Sequence, residues 1–292
     1  MSTAGKTAIV PRENLDFGLD GDIPRHWLGG DPFKTRFFDA LSVTFPEGER
    51  FFISCVRDYR EQVSDVSLQE EIRAFMRQEA QHGRVHTLYN NRLKAHGIDV
   101  DWLERMQRET QDRIRRHRSR KMTIATTAAF EHLTAIMCHG FVERKDLVAD
   151  FDPRMRAMYA WHAMEEVEHK AVAFDVMQKV ANVGYLRRTG AMLMISFFYL
   201  IRTFSLMHYM LRKDGYGFWR QTLLWPAGLW WLYKPKRGLW TGVMGHYLQY
   251  FRPGFHPWDE GQLHSYQVWL EVFNRTGDPL EAADGVYASL RA

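Results

Sequence analysis

The chain holds only two cysteines, Cys55 and Cys138, and they form no Cys-x-x-Cys pair. That argues against structural zinc and iron-sulfur clusters and suits a reducing compartment. No Gly-rich loop of the P-loop or dinucleotide kind is present, so a nucleotide cofactor has no support. No segment sustains apolar/polar alternation with a period of two, which leaves no strand signal. Gly/Ser-rich linkers and low-complexity segments are missing as well. The opening stretch Met1–Arg12 lacks an apolar core and a cleavage site, so no secretory signal is expected and a cytoplasmic location is. Acid is nearly missing between Val180 and Trp258, where Asp214 stands against ten Lys and Arg.

What is there describes a folded chain. With 46% hydrophobic and 25% charged residues over 292 positions, it can bury one sizeable core or two modest ones. The fold class read from periodicity is all-α. A helix opens near Pro46 and runs to about Gln62, with Phe45, Glu49, Phe52 and Val56 on one face. A second starts at the capping box Ser67-Leu-Gln-Glu70 and stops near Gly97, turning Phe75, Glu79, His82 and His86 inward. Asp101 is expected to cap a third, charge-dominated outer helix to about Arg116. A fourth spans about Ser119–Glu143, and Asp152-Pro153 opens a fifth that continues to about Val180.

The chemistry lies in six residues on four of these helices: Glu49, Glu79 with His82, Glu131, and Glu166 with His169. Residues three apart share a helix face, so each Glu-x-x-His aims a carboxylate and an imidazole at one metal. Each lone Glu then adds a terminal or bridging carboxylate, the ligand order of a two-metal site within a four-helix bundle. Glu131 sits in Thr126–Met137, a run with almost no other charge, where an ionised carboxylate needs a partner or a metal. His162 shares a stripe with Glu166 and His169, and His86 follows His82 by four; either is a further ligand or an outer donor that orients one. His132 points about 100° away from Glu131 and reads as structural.

This pattern resembles that of ferritin-like diiron carboxylate proteins, and His162 resembles the seventh ligand of the diiron arylamine N-oxygenases. The stretches Phe45–Phe52, Gln78–His82, Glu165–His169 and Arg252–Trp258 are similar to a bacterial family labelled predicted metal-dependent hydrolase, over roughly residues 20 to 275. The resemblance implies a ferritin-like four-helix bundle with extra C-terminal helices. It implies metal ligands Glu49, Glu79, His82, Glu131, His162, Glu166 and His169, with Glu131 and Glu166 as catalytic candidates.

Carboxylates and imidazoles without thiolate suit two Fe ions, with Mn or mixed Mn/Fe as variants. The leading expectation is O2 activation to oxidise a lipophilic or amine-bearing organic substrate, supplied with electrons by an external donor. Thr127, Thr134 and Cys138 are candidates for lining the oxygen pocket. The alternative is a metal-dependent hydrolase using a binuclear metal-bound hydroxide, and a third is a site that stores iron or merely stabilises the bundle.

Three regions follow: an N-terminal arm at 1–30, the metal-binding bundle at 31–180, and a basic, Trp-rich helical region at 181–292. Val180–Trp258 carries +9 while the whole chain is +4, and it holds six of the ten Trp. The uncharged run Gly190–Ile201 falls short of the roughly 20 residues a span requires, and Arg202 and His208 interrupt its continuation. Residues 185–258 are therefore expected to lie on a membrane surface at the inner face rather than to cross it. Helices packed on the bundle with a basic solvent face explain the same pattern. No nucleic-acid motif accompanies the charge, so nucleic acid is not an expected partner.

Overall fold

The computed structural model describes residues 7–290, so residues 1–6 of the expected arm lie outside it. The all-α expectation holds: among the described residues no β-strand forms, only an isolated bridge between Leu28 and Phe151.

Helix starts follow side-chain caps. Asp31 accepts from Phe33 N and Lys34 N and opens α1 (Pro32–Ser42), a helix not foreseen from periodicity. Helix α2 spans Phe45–Arg57 with Pro46 in its first turn. Helix α3 (Val66–Ala95) is capped by Asp65, not by the expected Ser67, which sits inside the first turn and bonds Glu71. Helix α4 (Val100–His117) is capped by Asp99 rather than Asp101. In both corrections an Asp two residues upstream reaches the free N–H groups first. Ser119 caps α5 (Arg120–Val142), a short α6 follows (Lys145–Val148), and Asp152 caps α7 (Pro153–His169). The helix expected to reach Val180 stops at His169; α8 (Val172–Asp175) and a π-helical turn at Val176–Val180 complete that stretch. Such π segments concentrate near functional sites.

Four helices close a ring around the ligand candidates: α2 packs on α3, α3 on α7, α7 on α5 and α5 on α2. Helix α4 lies outside against α2, α3 and α5. Beyond the ring come α9 (Tyr185–Lys213), α10 (Phe218–Tyr233), α11 (Met244–Gln249), α12 (His264–Thr276) and α13 (Pro279–Ser289). The apolar run at 190–201 is not cut at Arg202 and His208; it belongs to one 29-residue helix, long and apolar enough to cross a membrane, with 33% of its apolar window buried. Helix α9 packs on α1 and α5, and α13 packs on α7.

The α1–α9 junction is polar at its heart. Arg36, fully buried, donates from Nε and Nη2 to Asp214 at 2.7 and 2.6 Å and from Nη1 to Asp39 at 2.6 Å. Asp39 also accepts from Arg92, Trp27 and Tyr89. Around this network Trp27, Phe38, Phe141, Phe151 and Tyr159 pack edge to face into the main core.

Candidate metal centre

The ring brings all seven predicted ligands to one place. Glu49 comes from α2, Glu79 and His82 from α3, Glu131 from α5, and His162, Glu166 and His169 from α7, each at most 3% exposed. One ligand atom from each of Glu49, Glu79 and His82 lies within 4.8 Å of the other two, and the same holds for Glu79, Glu166 and His169. Glu79 belongs to both groups. Glu131 stands beside the second, with Oε2 3.5 Å from His169 Nε2. Gly83, next to His82, lets α2 come close: a Cβ there would meet Glu49 Oε2 at 3.0 Å.

Their polar atoms test the fit. Both carboxylate oxygens of Glu49 and Glu79, Glu131 Oε2, Glu166 Oε2, His82 Nδ1 and His169 Nε2 are buried and bond nothing outside the cluster among the described residues; the closest approach within it is His169 Nε2 to Glu79 Oε1 at 3.0 Å. Buried acceptors are rarely left so, because the desolvation cost goes unrepaid. A cluster of them on converging atoms suits a cation, and the donors are carboxylate and imidazole without thiolate. Burial, then repulsion from Glu79 and Glu166, holds the Glu131 carboxyl well above the ordinary range. Burial, then Glu79, does the same for Glu49. Burial pushes His82 well below its usual value, so its ring is neutral as a ligand must be. His169 moves well up despite its burial, because Glu166 and Glu79 face it.

The two Glu-x-x-His histidines are held by partners that sequence reading did not single out. His82 Nε2 lies 3.2 Å from Glu165 Oε2, leaving Nδ1 for a metal. His169 Nδ1 donates to Gln78 Oε1 at 2.8 Å, leaving Nε2. Gln78 Nε2 in turn donates to Glu168 at 2.7 Å. Arg12, on the N-terminal arm, joins the two branches: Nη1 donates to Glu165 at 3.2 Å and Nη2 to Glu168 at 2.7 Å. Tyr266 OH adds a 2.7 Å bond to Glu168, and the Arg12 guanidinium lies over Trp269. The signal for Glu165 and Glu168 was present, since two further acids within a buried helix need partners. Arg12 lies more than 150 residues away and carries no local signal.

This geometry yields a prediction. Arg12→Met is expected to weaken metal binding about 10–100-fold, the usual effect of losing an outer partner. Competition with a chromogenic chelator measures it; unchanged affinity would make Arg12 a purely structural strap.

His86 and His162 form a line behind these ligands. His162 Nε2 lies 3.0 Å from Glu166 Oε1, and its Nδ1 lies 2.8 Å from His86 Nε2. His86 Nδ1 reaches Ser42 Oγ at 2.8 Å. His162 groups with His82 and Glu166 at ligand distance, and His86 with Glu49 and His162. Of the candidate pocket residues, Thr127 and Thr134 spend their hydroxyls on Thr123 O and Phe130 O of their own helix. Cys138 is buried, and burial followed by the nearby Glu166 pushes its thiol well up. His132 stands apart, with Nε2 3.4 Å from His246 O.

No curated protein and no solved structure matches the chain. A family model described as predicted metal-dependent hydrolase matches residues 11–261, which include Arg12, every ligand candidate and the Arg252–Trp258 stretch. With most of its length so matched and a buried His/Glu cluster fit for a metal at its centre, the chain belongs to the family of predicted metal-dependent hydrolases.

Proposed function

We propose that this chain is a dinuclear metal enzyme on a ferritin-like four-helix bundle, and that it hydrolyses an ester, amide or phosphate bond. The observation that carries the reading is the set of buried carboxylate and imidazole atoms that converge on one another, with Glu79 shared by two ligand groups. Family membership supports hydrolysis over other chemistry at such a site. Glu49, Glu79 and His82 would hold one ion; Glu79, Glu131, Glu166 and His169 would hold the other, with His162 at the edge of both. Bound metal would polarise a substrate oxygen and make a coordinated water acidic near neutral pH.

The chain's own contribution is position and dryness. Glu165 and Gln78 fix which nitrogen of His82 and His169 faces inward. Glu131 and Glu166 would take a proton from an attacking water, each through the buried oxygen it turns toward His169. Phe45 against His86 and His162, and Phe75 against His169, keep bulk water from the imidazoles.

The test is reconstitution with zinc, manganese or ferrous iron, followed by assay on aryl esters, anilides and phosphoesters. Turnover that is abolished by chelation and indifferent to O2 is expected. A ferrous protein that consumes O2 and hydrolyses nothing would replace this reading by the second one, oxidation of a lipophilic or amine-bearing substrate by O2 with electrons from an external donor. The specific support for that second reading is enclosure: ligands no more than 3% exposed admit a diatomic gas more readily than a bulky ester.

A further inference from the structure

The surface carried by α9 and α10 has no partner among the described residues. Along α9, Leu186, Leu193, Phe197 and Ile201 recur at helical spacing, and they are 82%, 58%, 61% and 49% exposed. Along α10, Trp219, Leu223 and Trp230 repeat the pattern at 78%, 79% and 60%. Phe198 and Phe218 extend both stripes. Exposed apolar residues scattered singly are ordinary, whereas a continuous stripe marks an interaction surface.

The two stripes belong to one layer. His208 Nδ1 lies 2.8 Å from Gln221 Oε1, and the Phe204 and Trp225 rings are 5.3 Å apart, which fixes α9 and α10 as an antiparallel hairpin turned at Asp214–Gly217. Helix α1 packs beneath both arms, with Phe33 filling the space at Gly228. The faces away from α1 are therefore open together.

Cations frame this layer. Lys234, Lys236 and Arg237 follow the end of α10 and Arg187 lies further along at the start of the longer α9; Arg212, Lys213 and Arg220 stand at the hairpin's tip. All seven side chains are exposed, and the segment's one acid, Asp214, is consumed by Arg36. An apolar face with indole rings, bounded by Lys and Arg, complements acyl chains beneath anionic headgroups. A protein partner would need an acidic rim around an apolar centre; a bilayer supplies both without further recognition.

We propose that the α9–α10 hairpin is a membrane-docking surface that lies in the headgroup region of an anionic bilayer. It does not span. The Arg188, Met192, Ile195, Leu206 and Met210 face of α9 is buried against the protein, so the helix presents lipid with one side only. The proposal is independent of the chemistry at the metal centre.

The experiment is co-sedimentation of the full chain with phosphatidylcholine vesicles, with and without phosphatidylserine. Binding is expected to the anionic vesicles, to fall with added salt, and to be extractable without detergent. Arg220→Gln and Lys236→Gln should each weaken partitioning about five-fold, and Trp219→Ser with Leu223→Ser should weaken it at least about tenfold. These side chains are exposed, so an unchanged thermal melt checks that the variants fold. Failure to bind anionic vesicles overturns the proposal, as does a stable dimer in solution that the Trp219/Leu223 variant converts to monomer. Binding released only by detergent would overturn the surface placement in favour of insertion.

Discussion

On the dinuclear reading proposed above, replacing Glu79 with Gln is expected to abolish metal binding at both ligand groups while leaving the metal-free fold at least as stable as the parent. The shared position of Glu79 explains the first half, since its carboxylate groups both with Glu49 and His82 and with Glu166 and His169. The second half follows from the carboxylate crowd. Glu49, Glu79 and Glu131 are all pushed up by burial, reinforced by like-charged neighbours at Glu49 and Glu131 and partly offset by His169 at Glu79, so without a cation each is a cost to the folded state. An amide at position 79 removes part of that cost. In the parent, metal at a hundredfold excess over its dissociation constant adds about 2.7 kcal/mol. For a chain of this size that is about 4 °C in melting temperature. The variant should show no such increment. Glu131→Gln touches only the second group, so it should retain part of the bound metal. Metal analysis beside thermal melts with and without added metal reads all of this. Full metal content in the Glu79 variant would refute the shared-ligand geometry, and a large drop in metal-free stability would make Glu79 a structural residue instead.

The legible part of this site was the part written at helical spacing. Two Glu-x-x-His pairs and two lone Glu in apolar surroundings can be read off because a helix turns local sequence into a face, whatever else the chain does. Residues that hold the ligands in place were legible only in part. Gln78, Glu165 and Glu168 flank the motifs, but their partners are set by how α3, α7 and the arm meet, and Arg12 arrives from a segment with no regular structure. Helix ends show the same division. At the starts of α3 and α4 several Asp and Ser stand within two residues of each other, and only backbone geometry decides that Asp65 and Asp99 are the ones that reach the free N–H groups. Helix α1 escaped notice because its eleven residues bury a mixed set, including Thr35, Arg36 and Asp39, that shows no clean apolar stripe. Those polar residues are buried because Asp214 and Arg92 come to meet them, a fact available only in three dimensions.

The same reasoning places α9 correctly only after folding. Sequence alone reads Arg202 and His208 as breaks in an apolar run, yet a helix tolerates charge wherever its face permits. His208 turns to Gln221 across the hairpin, and Arg202 keeps half-buried company along the flank, so the helix runs on for 29 residues. The turn of that hairpin is then tied to α1 through Asp214 and Arg36, which makes that point a sensitive place to perturb.

Arg36→Met is expected to destabilise the fold by about 3–5 kcal/mol, on the order of 10 °C in melting temperature. The guanidinium makes three short bonds to two carboxylates that are themselves at most 1% exposed, so its loss leaves buried negative charge rather than an open surface. Asp39 would keep Arg92, Trp27 and Tyr89, whereas Asp214 would keep, among the described residues, His26 and the half-exposed Arg25. Lys at position 36 should rescue little, because a single ammonium cannot span both acids in the planar geometry used here. The effect has a pH signature with a definite sign. Burial alone would raise the Asp214 carboxyl, but His26 and Arg36 hold it well below the ordinary carboxylate range. A group depressed in the folded state contributes fully above its unfolded value of about 3.9 and loses that contribution as pH falls toward the folded one. The gap between parent and variant should thus be widest near neutral pH and narrow below about pH 4, measured by denaturant unfolding at a series of pH values. A gap that stays constant into acid would mean that Arg36 acts through packing of its stem between α1 and α9 and not through its charge.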